Sequence, residues 1–146
     1  MLILLGSSRN TLDVDYVGID IPGLWTELQR TIAELANEME IKIEAVPYDE
    51  MIPPLPDSIA RQIPVGMYGN VQVVVIDPYA MALGKLDRGF PTDLEDVVFL
   101  IHRNLINLTE LDKIVQAAIP RAQEFDLTPR QMRQNLETVR QMIAEK

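Results

Sequence analysis

Two carboxylates one residue apart, Asp13 and Asp15, have the types and the spacing to do chemistry in this chain. They lie in a short apolar segment, Leu12 to Val17, which is typical of a β-strand. Alternate side chains of a strand share a face, so the two acids are expected to project together from backbone positions about 6.6 Å apart. Carboxylates that close repel each other. The usual remedies are a shared divalent cation, a shared proton or a basic neighbour.

A third acid, Glu44, lies in the middle of a second predicted strand, residues 41–46, whose other positions indicate burial. If that strand neighbours the first, three carboxylates form an oxygen cage for one or two Mg²⁺ ions. Lys42, two residues away on the same face, is an equally good partner for Glu44, so both interpretations stay open. The chain has no cysteine and a single histidine, which excludes zinc–thiolate and multi-histidine sites and leaves oxygen ligands for any metal.

A second charged group lies farther along the chain. Lys85 and Arg88 are three apart on one side of a predicted helix, and Asp93 and Asp96 are three apart at the start of the next. The expected structural role is a pairing of Arg88 with Asp96 across the turn. The functional alternative is that Lys85 contacts a phosphate.

The elements that must position these residues are strands first and helices after them. A helix is predicted over residues 22–39, between the two acidic strands. The proline-rich residues 47–70 predict irregular chain with a helical turn at 57–62 and a strand at 65–68, which forms a hairpin with a buried strand at 71–76.

Four helices are then predicted. They are residues 78–88 with Asp77 as N-cap, 93–104 with Thr92 as cap, 109–124, and 128–144. This order indicates an α+β fold, a small mixed sheet followed by a helical C-terminal half. We expect an α+β core over residues 1–104, with residues 105–146 as a helical extension packed on the same domain.

Composition excludes several classes of protein. The net charge of −9 disfavours extended nonspecific binding to DNA, because such binding depends on Lys and Arg neutralising phosphates. No apolar run approaches the roughly 18 residues of a membrane span, and Met1 to Leu5 is too short for a signal peptide. We therefore expect a cytoplasmic protein with no membrane partner.

Two segments carry a resemblance to a known family. Residues 6–17, GSSRNTLDVDYV, resemble the G-x-x-R-x-T-x-D-h-D-h stretch of nucleotidyltransferase-fold proteins of type IV toxin–antitoxin systems and their uncharacterised relatives. Residues 75–97, VIDPYAMALGKLDRGFPTDLEDV, resemble the second signature of those proteins, with Thr92 where a lysine is common. The likeness covers roughly residues 3–103.

The resemblance implies a fold, an activity and a site. Members of that family use paired acids and a third strand carboxylate to bind Mg²⁺ and move a nucleotidyl group from a nucleoside triphosphate to an acceptor. Carried over, the catalytic residues and metal ligands are Asp13, Asp15 and Glu44. Ser7, Arg9 and Lys85 are then the candidate nucleotide contacts, and the cofactor is Mg²⁺.

The N-terminal end departs from the family pattern. Active members have a Gly-Gly or Gly-Ser turn and then a helix before the acid pair, which cradles the triphosphate. Only twelve residues precede Asp13, so we expect either that this element is missing or that the start codon lies farther upstream. The alternative to an enzyme is thus a catalytically reduced binding or regulatory protein. The expected partners are a nucleoside triphosphate and a protein or RNA acceptor, and a homodimer is the candidate assembly.

Overall fold

Residues 5–6, 13–17 and 25–145 are described by this computed structural model, except for the side chains of Asp13 and Trp25. The described chain is α+β with a helical C-terminal half, which confirms the predicted fold class. It divides into two compact units, Met1–Tyr48 and Asp49–Lys146. The predicted boundary between residues 104 and 105 remains a prediction.

The first unit contains a strand, a helix and a second strand. Strand β1 (Asp13–Tyr16) pairs in parallel with β2 (Lys42–Ala45), and helix α1 (Trp25–Met39) connects them. Parallel strands require a crossover of this kind, because a tight hairpin turn reverses the direction of the chain. Both predicted strands are confirmed, as is the helix from residue 25 onward, while residues 22–24 lie outside the described part.

The boundary between the two units falls after the first residue of a short helix, α2 (Tyr48–Met51). A 3₁₀ turn at Ile59–Arg61 follows the prolines and leads into the hairpin of β3 (Ile63–Tyr68) and β4 (Val71–Val75). The turn and the hairpin confirm the prediction, with Gly69 at φ 61° supplying the positive φ that a tight connection uses.

The expected burial of the last strand is wrong. Of the residues in β4 only Val75 is buried, whereas Val71 and Val73 are 41% and 38% exposed. A run of β-branched residues predicts a strand, but whether its faces are covered depends on elements elsewhere in the chain. The described strands form two separate two-stranded sheets, one of β1 and β2 and one of β3 and β4.

Four helices pack together to form most of the second unit. They are α3 (Pro78–Arg88), α4 (Pro91–His102), α5 (Leu108–Ala118) and α6 (Pro129–Ala144), with a 3₁₀ segment at Ile119–Phe125 between the last two. Their apolar faces meet in one core whose largest fully buried side chains include Leu83, Leu86, Leu100, Leu111 and Met132. Helix α6 packs on both α3 and α4.

Two predicted details of these helices are wrong. Helix α4 begins at Pro91 with Phe90 at the N-cap position, where no side-chain hydrogen bond forms, so Thr92 is not its cap. A proline at the first helical position fixes φ and needs no N–H partner, which sets the start of the helix there. The helix predicted over residues 109–124 ends at Ala118, because Pro120 has no N–H to continue the α-helical hydrogen bonds.

The C-terminal end of α3 is held by polar side chains of α6. Asn135 Nδ2 donates to the carbonyl of Leu86 at 2.7 Å, and Gln131 Nε2 donates to that of Arg88 at 2.9 Å. These amides satisfy carbonyls that a helix end leaves without an intrahelical partner. Gly89 follows with φ 68°, in the left-handed region that glycine adopts most readily.

Across the described residues, no helix combines the length and the apolar character that crossing a membrane requires.

Candidate functional site

The two acidic strands lie side by side. In the parallel ladder Asp15 is the register partner of Glu44, and Asp13 is the register partner of Lys42. Register partners on neighbouring strands have side chains on the same face, about 5 Å apart at Cβ. Asp15 and Glu44 are thus direct neighbours on one face of the sheet, as the oxygen-cage interpretation requires.

Glu44 lies in an exposed strand, and the prediction that its surroundings are buried is wrong. Its side chain is 55% exposed and that of Lys42 is 61% exposed. The two form an ion pair with a distance of 2.9 Å from Lys42 Nζ to Glu44 Oε2. Asp15 is exposed as well. An ion pair this open to water is screened and weak, so both charged groups stay accessible to other partners.

The complete metal site stays a prediction. The side chain of Asp13 lies outside the described part, as do Ser7 and Arg9. Among the side chains that are described, no group of three His, Cys, Asp or Glu residues is arranged to hold a metal ion. Two members of the predicted set, Asp15 and Glu44, are neighbours in the ladder, and their carboxylate oxygens are the donors that Mg²⁺ prefers.

Lys85 and Arg88 belong to a charged cluster between α3 and α4 in the second unit. Lys85 Nζ lies 2.7 Å from Asp96 Oδ2 and 3.3 Å from Asp93 Oδ1. Arg88 donates to the same Asp93 carboxylate, from Nη2 to Oδ1 at 2.7 Å and from Nε to Oδ2 at 3.2 Å. Asp93 therefore accepts from both Arg88 and Lys85, and Asp96 accepts from Lys85. The pairing of Arg88 with Asp96 stays a prediction.

Burial and charge act in opposite directions on Asp93. Burial raises the pKa of its carboxyl, but the hydrogen bond and charge of Arg88, with the nearby charge of Lys85, outweigh burial and hold the pKa below its ordinary value. The side chain of Lys85 is only 14% exposed and already faces two carboxylates. This cluster connects the ends of two helices, and the phosphate contact expected of Lys85 stays a prediction.

A further buried ion pair was not foreseen in the sequence. The Asp77 carboxylate is fully buried and accepts from Arg61 Nε at 3.1 Å to each oxygen. The same carboxylate accepts from the backbone N–H of Tyr79 at 2.9 Å, which confirms Asp77 as the N-cap of α3. The hydrogen bond from Arg61 to Asp77 raises the pKa of the Arg61 guanidinium against the opposing effect of burial, so Arg61 carries its positive charge at neutral pH.

The contacts of Asp77 extend to a third element. The guanidinium of Arg61 lies over the ring of Tyr79, 5.3 Å from its centroid, and the Tyr79 hydroxyl accepts from the backbone N–H of Asn107 at 2.9 Å. Asn107 is the N-cap of α5, with its side chain accepting from Thr109 N at 2.8 Å. Asn107 carried a readable signal, since asparagine before a helical pattern predicts an N-cap. The partnership of Arg61 with Asp77 had none, because the two residues are 16 positions apart.

Comparison with known protein families gives a match over nearly the whole chain. The family model described as "Nucleotidyltransferase of unknown function (DUF6036)" matches residues 1–144. No curated protein matches the chain, and no solved structure does.

Proposed function

The chain belongs to this family of nucleotidyltransferases of unknown function, and from that premise we propose that it transfers a nucleotidyl group from a nucleoside triphosphate to an acceptor in a Mg²⁺-dependent reaction. The proposed metal ligands are Asp13, Asp15 and Glu44. In such a transfer an acceptor hydroxyl oxygen attacks the α-phosphorus in line and loses its proton to water. The bond between the α-phosphorus and the oxygen that bridges it to the β-phosphorus breaks, and that oxygen leaves with pyrophosphate.

The observation that supports this proposal is the register of the first sheet. Asp15 lies directly opposite Glu44, and Asp13 precedes Asp15 by two positions on the same strand. Without a cation, this arrangement concentrates negative charge on one exposed face, and only Lys42 opposes that charge among the four charged residues of the two strands. Acids gathered in this way bind a hard divalent cation through oxygen.

The chemistry of the donor set fits the metal that the family resemblance implies. When bound, Mg²⁺ supplies charge neutralisation on the phosphates and a lowered pKa for an attacking hydroxyl. The chain's own residues hold and orient the site, since strands position side chains more rigidly than loops do. The acids lie on the short strands β1 and β2, whose ladder continues with a hydrogen bond from Val46 N to Tyr16 O at 3.0 Å.

The nucleotide contacts proposed at Ser7, Arg9 and Lys85 are supported by the resemblance alone. Lys85 already donates to two carboxylates, which leaves the third N–H of its ammonium for a phosphate oxygen. The acceptor in the proposal is a protein or an RNA.

The proposal is tested by metal-dependent transfer. The full-length protein is incubated with Mg²⁺, total cellular RNA or protein, and each of the four nucleoside triphosphates labelled on the α-phosphate, and incorporation is measured alongside pyrophosphate release. We expect Asp15→Asn to abolish the transfer, because it removes a ligand charge without changing the shape of the side chain. The matched control is Glu34→Gln, which removes an acid of α1 in the same unit. The Glu34 side chain is 70% exposed and, among the interactions described, pairs only with Arg30. Equal activity of wild type and Asp15→Asn would overturn the metal-site assignment.

A second candidate function is a nucleotide-binding or regulatory protein without turnover. The ion pair between Lys42 and Glu44 favours it, because a lysine that competes for Glu44 weakens the metal binding that turnover needs. Calorimetry separates the two functions. Heat from Mg²⁺ and ATP that is lost in Asp15→Asn, with no pyrophosphate released, identifies the binding protein.

A further inference from the structure

Lys42 brings a positive charge to the face of the first sheet where the proposed metal ligands lie. Its ammonium nitrogen is 2.9 Å from a carboxylate oxygen of Glu44, and its backbone register partner is Asp13. The register partner of Glu44 is Asp15. Four neighbouring ladder positions thus carry three acids and one lysine.

The geometry of the ion pair between Lys42 and Glu44 allows another cation to take the place of Lys42. Both side chains are more than half exposed, and an ion pair of that kind contributes little to stability and is screened by salt. A lysine ammonium is a compact, strongly hydrated charge on a flexible stem, so it leaves a carboxylate at low cost. A divalent cation that takes Glu44 as a ligand competes with the Lys42 ammonium for the charge and the oxygens of that carboxylate.

We propose that Lys42 is a built-in counter-cation, which offsets the repulsion of the acids in the metal-free protein and is displaced when a divalent cation binds. This inference rests on the proposed function, since it assigns to Lys42 control over the metal affinity of the same site. Lys42 is a positioning residue here and not a ligand or a catalytic residue. Because of Lys42, the affinity of the site for Mg²⁺ is lower than the three acids alone would give.

The size of the effect follows from Coulomb's law. A single charge about 6 Å from a doubly charged ion changes the affinity of that ion by about tenfold in water of low ionic strength. Screening at physiological salt, with a Debye length of about 8 Å, reduces this to about threefold. The effect of Lys42 must therefore shrink as salt is added.

The test measures binding of Mg²⁺ and of Mn²⁺ alone, without nucleotide, by isothermal calorimetry on the full chain. The variant is Lys42→Met, which removes the charge and keeps an unbranched side chain. We expect the Kd for Mg²⁺ to fall about tenfold at 10 mM NaCl and about threefold at 150 mM. We also expect the Mg²⁺-induced rise in Tm to be larger in Lys42→Met than in wild type, because the variant's acids lack a counter-cation until the metal arrives.

Two further variants keep the test decisive. Lys42→Arg retains the charge and should bind Mg²⁺ within twofold of wild type. Arg30→Met removes a cation that pairs with Glu34 on α1, and it should leave the Kd unchanged. A drop in Kd in Arg30→Met as large as that in Lys42→Met would show a general effect of net charge and overturn the assignment to Lys42.

The outcomes also separate this inference from the proposed function. If wild type binds Mg²⁺ in a manner that depends on Asp15, and Lys42→Met binds it equally or more weakly, the counter-cation role is wrong and the metal site stands. If neither wild type nor Lys42→Met binds Mg²⁺, the metal site itself is wrong and the inference falls with it.

Discussion

The charged groups described in the two units differ most in their exposure to water. The cluster of the first unit lies on an open strand pair, with Glu44 and Lys42 both more than half exposed. In the second unit the carboxylates of Asp77 and Asp93 are nearly or fully buried, and each accepts charge-assisted hydrogen bonds. Among the described residues, no buried polar side-chain atom lacks a hydrogen-bond partner.

The difference separates charges that stabilise the fold from charges that are accessible to a ligand. A buried carboxylate whose acceptor positions are filled by arginine and lysine cannot take a metal or a phosphate contact without breaking those bonds. An exposed carboxylate paired with one lysine can change partners freely. The comparison thus assigns stability to the buried carboxylates of the second unit and makes the exposed acids of the first unit the candidates for ligand binding.

Hydrophobic packing follows the same division. None of the described side chains over residues 14–17 and 26–48 is buried, whereas α3 to α6 bury a continuous set of aliphatic residues. Substitutions in the second unit should therefore change the free energy of unfolding, and substitutions at the acids of the first should change binding.

The largest expected effect on stability comes from Asp77→Ala. It leaves the charge of Arg61 without its partner and removes the N-cap of α3, so we expect the free energy of unfolding to fall by about 3 kcal/mol. This value is at the low end of the range for a broken buried ion pair because Arg61 is partly exposed. Urea unfolding followed by circular dichroism at 222 nm measures it. Asp112→Ala, which removes an exposed partner of Arg140, is the control and should cost under about 1 kcal/mol. A similar loss in both variants would break the distinction between buried and exposed charges.

Gly89→Ala should destabilise the second unit by about 2 kcal/mol. The residue has φ 68°, which costs an alanine roughly 1 kcal/mol, and a Cβ there would lie 2.9 Å from Cγ of Asn135 and even closer to its amide nitrogen. Asn135 would have to move and give up its hydrogen bond to the Leu86 carbonyl. In an Asn135→Ala background the same substitution should cost only about 1 kcal/mol, and a double-mutant cycle by urea unfolding measures the difference. Equal costs in both backgrounds would show that the clash contributes nothing.

Asp93→Asn should cost about 1.5 kcal/mol at neutral pH and should change the acid sensitivity of the protein. Because the folded-state pKa of Asp93 lies below its ordinary value of 3.8, its ionised form contributes stability above that value, and this contribution is lost as the pH falls through the folded pKa. The measurement is the free energy of unfolding from pH 6 to pH 2.5. Wild type should lose more stability below about pH 4 than Asp93→Asn does. Parallel profiles would mean that the pair with Arg88 does not perturb the carboxyl in solution.

The sequence predicts local features of this molecule well and distant contacts poorly. The strands at β1 and β2, the hairpin, and the Asp77-Pro78 start of α3 follow from alternation, turn residues and capping, which act over a few positions. The partnership of Arg61 with Asp77 depends on how the chain returns to the start of α3, and no spacing rule reports it.

For the candidate site the same limit applies. The sequence indicated both partners of Glu44, the acid pair and Lys42, and could not choose between them. The ladder brings Asp15 opposite Glu44 while Lys42 contacts Glu44 directly, so both interactions are features of one face. Two residues on one strand are related by a fixed alternation, but the register between strands is set by the fold.

The smallest expected effect on stability belongs to Asp15→Asn, and it is the sharpest test of the comparison. Asp15 is exposed and lies opposite another acid, so removing its charge relieves repulsion and should change the free energy of unfolding by less than about 0.5 kcal/mol, in the stabilising direction. The same substitution should remove the Mg²⁺-induced rise in Tm, because a neutral amide is a poor substitute for a carboxylate ligand. Differential scanning calorimetry with and without 5 mM MgCl₂ measures both quantities on one sample. A slightly stabilised protein that still responds to Mg²⁺ as wild type does would mean that Asp15 is only a solvent-facing acid, and a strongly destabilised one would mean that the first cluster, like the second, serves the fold.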